Sequence, residues 1–191
     1  MSKKNSDQLY EAIKGAEHQG FLGKKEYSPW IRTKAKGTGS SAFGPVQLTG
    51  GKGSMMSNVA SGYAKIGATP EEKDWIKNTY LPQASNFLKY GGSDMVPGME
   101  RYDYGGTGDF SDKDKLMYEN ISKKLIQSEL DRAGGDTDKF IQSWRGKSRG
   151  EDPEYYEFIE NKISTDFASV AKDNTAEEMI GLMTKDEEKE I

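Results

Sequence analysis

Leu9, Ala12, Ile13 and Ala16 fall at spacings of i, i+3, i+4 and i+7. On a helix with 3.6 residues per turn these positions share one face, which predicts an amphipathic helix from Asn5 to about Gln19 that Gly20 stops. Glu17 then sits in its last turn. Residues 20–54 are rich in Gly, Ser, Lys and Thr, with short apolar pieces around Tyr27–Ile31 and Phe43–Leu48. Because Trp30, Phe43 and Leu48 need burial, this stretch reads as a small irregular or β-like lobe rather than a linker. Met55, Val59 and Tyr63, with Ile66, mark a second helix ended by Gly67. Thr69-Pro70-Glu71-Glu72 is a strong helix start: Thr69 as cap, Pro70 in the first position, Glu72 closing a capping box. That helix carries Trp75, Ile76 and Tyr80 until Pro82 interrupts or kinks it, with a continuation to Tyr90.

The glycine-rich stretch from Gly91 to Asp109 reads as a long loop. Ser111 caps a further helix, expected to turn Leu116, Ile121, Leu125 and Leu130 inward and to stop at Gly134-Gly135. Thr137 opens a short helix through Phe140, Ile141 and Trp144, and Asp152-Pro153 opens another with Tyr156, Ile159, Ile163, Phe167 and Val170 on one face. After Lys172 only Met179, Ile180 and Met183 form a weak apolar stripe among acids. The pattern predicts a mainly α chain with a small irregular or β lobe: a body over residues 1–172 and an acidic tail over 173–191.

Composition narrows the function classes. A hydrophobic content of 34% in 191 residues supports one core rather than two. There is no cysteine and a single histidine, His18, so thiolate and His-rich metal sites are excluded and no metal or other cofactor is expected. No apolar run is long enough to span a bilayer, and the opening MSKKNSDQLY has no apolar segment of the kind a secretory signal needs. The net charge of −4 divides unevenly: residues 151–191 carry −9 and residues 1–150 carry +5. The basic groups of the body are scattered, without the clustered arginines or basic helix that phosphate contacts require, so nucleic acid is not an expected partner.

Two features carry candidate chemistry. A glutamate at a helix end beside Gly20-Phe21-Leu22 can border an apolar cleft; burial penalises the ionised carboxylate, so such a group holds its proton and serves as a general acid. Downstream, KGTGSSAFGPVQLTGG supplies hydroxyls, backbone donors and one amide. Ser40, Ser41 and Gln47 are the neutral donors and acceptors that sugar hydroxyls and N-acetyl groups need. The glycine spacing does not fit a phosphate loop, since no Gly-Lys-Ser/Thr follows at the required gap.

The order Ala12-Ile13-x-Gly15-Ala16-Glu17, a spacer, then Ser40-Ser41-Ala42-Phe43-Gly44-Pro45-x-Gln47-Leu48-Thr49 resembles the catalytic core of lysozyme-like peptidoglycan lytic enzymes. It is most similar to soluble lytic transglycosylases of bacteriophage particles and lysis cassettes. The resemblance covers residues 12–49. It implies a lysozyme-like α+β single domain, with Glu17 as catalytic acid and base and Ser40, Ser41 and Gln47 on the substrate. Two departures stand out. His18 replaces the serine that many members have after the glutamate, and the later Ala-Tyr-Asn-Ala-Gly element has no copy. Its nearest candidates are Tyr102–Gly106, which brings in Tyr104, and Ser143–Gly146, which brings in Trp144, each as a sugar contact; packing is the competing role for Trp144.

The resemblance further implies cleavage of the MurNAc–GlcNAc β-1,4 bond with a single carboxyl. The partners would be peptidoglycan strands and other phage virion proteins. A phage virion or the host cytoplasm would be the place of residence, and the periplasm or cell wall the place of action. Hydrolysis by a muramidase of the same fold is the alternative chemistry and needs a second carboxylate; Glu26, Asp94, Asp103 and Asp109 are the candidates. A virion structural protein that binds glycan without cutting it is the alternative class. The tail, opposite in charge to the body, is expected to be peripheral, with closure of the fold through Met179, Ile180 and Met183 as the competing reading. A chain ending at Lys172 should therefore keep its activity on glycan. Loss of activity together with several degrees of melting temperature would put the segment in the core.

Overall fold

The computed structural model describes residues 3–18, 34–35, 38–39, 42–50, 53–90 and 110–164. They are mainly helical, with two short antiparallel strand pairs. Helix α1 (Lys3–His18) buries Leu9, Tyr10, Ala12 and Ile13, the face its spacing predicts. Strands β1 (Lys34–Ala35) and β2 (Thr38–Gly39) pair with Lys34 opposite Gly39. Strands β3 (Ala42–Phe43) and β4 (Leu48–Thr49) pair with Phe43 opposite Leu48, and both of those side chains are fully buried. The expected small lobe is therefore real, and its second hairpin is part of the core. Trp30 and the tail lie outside the described residues.

Helix α2 (Met55–Ser61) starts at Ser54, whose hydroxyl accepts from the Ser57 amide. It ends earlier than the apolar spacing suggests. Gly62 takes a left-handed φ of 79° and returns its amide to the Val59 carbonyl, so the chain leaves the helix before Tyr63, which is 83% exposed. The buried face is Met56, Val59 and Ala60 rather than Met55, Val59 and Tyr63, and Gly67 is not the stop.

Helix α3 (Pro70–Trp75) carries the full capping box: Thr69 Oγ1 accepts from the Glu72 amide and the Glu72 carboxylate accepts from the Thr69 amide. Glu72, although only 4% exposed, also receives Lys124 at 2.7 Å, which ties α3 to the longest helix. The helix then widens into a π-turn over Ile76–Tyr80 and resumes as α4 (Leu81–Tyr90). Pro82 has no amide to give an i−4 carbonyl, and the widened turn, in which the Leu81 amide reaches Ile76, takes up that mismatch.

Helix α5 (Asp112–Arg132) is capped by Ser111 with Asp114 as its reciprocal partner, and it packs against α1, α3 and α6. Ile121, Leu125 and Leu130 are buried as expected, but Leu116 is 55% exposed. Leu116 lies about 140° around the helix from Ile121, so the inward positions of the first turns are Met117 and Tyr118 instead. Helix α6 (Thr137–Arg145) begins at the expected residue, with Asp136 as its cap, and buries Phe140 and Ile141. Residues 153–164 form α7, with Tyr155, Tyr156 and Ile159 buried. Arg149 clamps α6 to α7 by pairing with both Asp138 and Glu160 while lying over the Tyr156 ring at 4.9 Å. Among the described residues no helix is long and apolar enough to cross a membrane.

The hairpin joining β3 and β4 is held from below by two phenols. Tyr118 Oη donates to the Phe43 carbonyl at 2.7 Å and accepts from the Leu48 amide at 3.4 Å, and Tyr80 Oη donates to the Leu48 carbonyl at 3.1 Å. Gly44 crosses the Tyr118 ring so closely that a Cβ there would lie 2.3 Å from Cζ, and its φ is 82°. Gly44→Ala should therefore cost about 2–5 kcal/mol, from left-handed strain plus overpacking. Chemical denaturation checks this; a loss below about 0.5 kcal/mol, the range of neutral surface changes, would contradict it.

Candidate functional site

Helix α1 delivers Glu17 one residue before its end, where the backbone carbonyls lack helical partners. Gly15 allows the approach of α7: a Cβ at that position would come within 2.9 Å of the Phe158 ring. A glycine inside a helix costs about 1 kcal/mol relative to alanine, and here it lets α7 lie against the last turn of α1. The consequence is at Glu17. Tyr155, from the first turn of α7, donates its hydroxyl to Glu17 Oε1 at 2.9 Å.

Arg145, the last residue of α6, completes the surroundings. Its guanidinium lies over the Tyr155 ring at 4.9 Å, and its Nε donates to Asp152 Oδ2 at 3.0 Å. Lys147 Nζ approaches the same Asp152 oxygen at 3.9 Å. Arg145 forms its ion pair with Asp152 and none with Glu17. Three segments thus converge on one carboxyl: the end of α1, the end of α6 and the start of α7.

Burial raises the Glu17 pKa above the ordinary glutamate value, opposed by the Arg145 charge and the Tyr155 hydrogen bond and assisted by the Asp152 charge. Burial wins. The C-terminal pole of α1 acts in the same direction, since its carbonyl dipoles disfavour an added negative charge. Tyr155 is itself held well above the usual phenol range by burial and by the neighbouring carboxyl, so it stays a donor. A carboxyl whose pKa burial raises, fixed in direction by one hydroxyl, is suited to deliver a proton to a bound oxygen.

Gln47 occupies the β3–β4 turn in a left-handed conformation, φ 54°, the sole non-glycine with positive φ among the described residues. Its amide closes the turn on the Gly44 carbonyl at 3.1 Å, and its side-chain Nε2 reaches the same oxygen at 2.8 Å. The side chain is half-buried. Tyr118 links this turn to the carboxyl: it holds the hairpin by hydrogen bonds, and its phenol lies within electrostatic reach of Glu17.

The remaining sequence candidates divide. Trp144 is half-buried and stacked on Phe140 with ring centroids 5.8 Å apart, a packing role. Ser40, Ser41, Tyr104 and the acids Glu26, Asp94, Asp103 and Asp109 lie outside the described residues. Sequence reasoning passed over Tyr155, Arg145 and Asp152. The available signal was DPEYYEFI, where Tyr155 lies at i−4 to Ile159 and so adds a second hydroxyl to the stripe of Tyr156, Ile159 and Ile163. Among the described residues no cluster of acids and histidine is arranged to hold a metal ion. No protein-family model, curated protein or solved structure matches the chain.

The raised pKa has a stability consequence. A carboxyl whose folded pKa exceeds its unfolded value contributes fully below the unfolded pKa, and that contribution is lost as pH rises through the folded pKa. Glu17→Gln keeps the Tyr155 hydrogen bond but has no charge to bury. It should melt with wild type below about pH 4 and above it at neutral pH. A variant less stable than wild type at neutral pH would contradict the assignment.

Proposed function

We propose that the chain cleaves peptidoglycan at the MurNAc–GlcNAc β-1,4 bond by lytic transglycosylation, with Glu17 as the single acid and base. The observation that carries this reading is the half-buried Glu17 carboxyl, whose pKa burial raises and whose direction the Tyr155 hydroxyl sets. In the proposed reaction the carboxyl gives its proton to the glycosidic oxygen and the C1–O bond breaks. The N-acetyl oxygen of the muramoyl residue stabilises the cation at C1. The Glu17 carboxylate then takes the proton of the C6 hydroxyl as that oxygen bonds to C1, leaving a 1,6-anhydro ring and the original protonated acid. No water is consumed.

Hydrolysis would ask for a second carboxylate free to act beside the sugar. Among the described residues, the other carboxylate that influences Glu17 is Asp152, and it is engaged by Arg145 and Lys147. Asp152 is therefore not the carboxylate that hydrolysis would use. The mainly helical body, with its small β lobe between the glutamate helix and the long α5, is what a lysozyme-like domain would need, and we infer that fold. Gln47 is inferred to face the glycan from its strained turn, since left-handed strain at a non-glycine residue is costly and tends to persist where a site requires it. Packaging in a phage particle, or residence in the host cytoplasm before lysis, would bring such an enzyme to the cell wall.

Purified protein incubated with peptidoglycan should release muropeptides with 1,6-anhydro ends, lighter by one water than reducing ends, and Glu17→Gln should release none. Reducing ends would make it a muramidase. Glycan binding without products from wild type would leave the non-catalytic virion reading. Gln47→Ala should lower turnover far more than it lowers stability; unchanged kinetics across a substrate titration would remove Gln47 from the site.

A further inference from the structure

The charge of Arg145 acts on Glu17, yet its guanidinium pairs with Asp152. That choice matters to an acid. A direct Arg–carboxylate pair pulls a carboxyl pKa down by about 1–3 units and would leave Glu17 ionised. Arg145 is instead drawn to the side by two contacts: Nε donates to Asp152 at 3.0 Å, and the guanidinium lies on the Tyr155 ring at 4.9 Å. Asp152 sits at the start of α7, three residues before Tyr155, whose amide bonds back to the Asp152 carbonyl at 3.2 Å. One turn of chain thus supplies both the hydroxyl that orients the acid and the carboxylate that restrains the cation.

We propose that Asp152 is a positioning residue: by holding Arg145 through Nε it keeps the guanidinium on the Tyr155 ring and off the Glu17 carboxyl, which is left to the Tyr155 hydroxyl and able to keep its proton. The proposal builds on Glu17 as the acid, but what it asserts is a property of the free protein. Among the described residues, the groups that act on Glu17 come from three neighbouring elements. From α5 comes the Tyr118 phenol, from α6 Arg145, and from α7 with its preceding residue Tyr155 and Asp152; Lys147 acts on Asp152 rather than on Glu17. On α1 itself Lys14 pairs with Glu11. A direct like-charge effect of Asp152 on Glu17 also favours the protonated acid. The test must therefore separate that direct effect from the restraint of Arg145.

The experiment is a double-mutant cycle read by carboxyl carbon-13 chemical shift in glutamate-labelled protein, with the Glu17 signal identified by its loss in Glu17→Gln. Wild type, Asp152→Ser, Arg145→Gln and the double variant are titrated; serine keeps a capping oxygen for α7 but is too short to hold Arg145. Asp152→Ser should lower the Glu17 midpoint by about one unit or more, because the freed guanidinium pairs with the carboxyl. With Arg145→Gln in place, the same Asp152→Ser change should lower the midpoint clearly less, by the direct charge effect alone. Equal shifts in the two backgrounds would reduce Asp152 to a through-space charge and overturn the proposal, as would an unchanged midpoint in Asp152→Ser. If Asp152→Ser does not fold, Asp152→Asn gives the same cycle with a smaller coupling. The readout needs no substrate. An inactive wild type with the predicted coupling would fail the functional reading alone, and an active one with equal shifts would fail this proposal alone.

Discussion

The Tyr118 hydroxyl is the contact on which the arrangement turns. It is a buried phenol with a carbonyl on one side and an amide on the other, and those two groups belong to opposite strands of the same hairpin. A buried phenol without partners would cost about 1–3 kcal/mol, so the pairing between α5 and the hairpin is fixed in register as well as in contact. Gly44 follows from it, because no side chain fits over the ring. So does the neighbouring Tyr80, whose ring lies 6.1 Å from that of Tyr118 and whose hydroxyl completes the hold on Leu48. Helix α5 packs in turn on α1, which ends in Glu17. The hairpin and the carboxyl are thereby referred to one rigid element.

Glu17 is placed in conflict, and the conflict gives it its character. A carboxyl removed from water favours its neutral form; an arginine and a phenol nearby favour the charged form. Had Arg145 formed a direct pair with it, the second effect would dominate. Asp152 and the Tyr155 ring divert the guanidinium, so the balance stays with burial. A structural ion pair has no need of such a diversion, whereas the proposed proton donor does.

What could be read in the sequence follows from how local the signals are. The capping boxes at Thr69 and Ser111 each span four consecutive positions, and they stand in the structure as their residues spell them. The buried face of α1 was legible for the same reason. Leu116 and Tyr63 were misassigned because an apolar residue near a helical stripe does not reveal the phase of the helix or the turn at which a left-handed glycine ends it. The site split along the same line. Glu17 and Gln47 were visible through a resemblance carried by nearby residues. Tyr155 stands 138 residues from Glu17 in the chain, and Arg145 and Asp152 enter only through the packing of α6 and α7, so no local pattern places them beside Glu17.

The central claim is that a glycan strand lies across Glu17 with its bridging oxygen at the carboxyl. A crystal structure of the Glu17→Gln protein with a peptidoglycan tetrasaccharide tests it most directly. The account predicts a glycosidic oxygen within hydrogen-bond distance of the Gln side chain at residue 17, with the Gln47 turn against the adjoining sugar. A tetrasaccharide bound on another face of the molecule, or a bound strand whose bridging oxygens all lie away from residue 17, would contradict it.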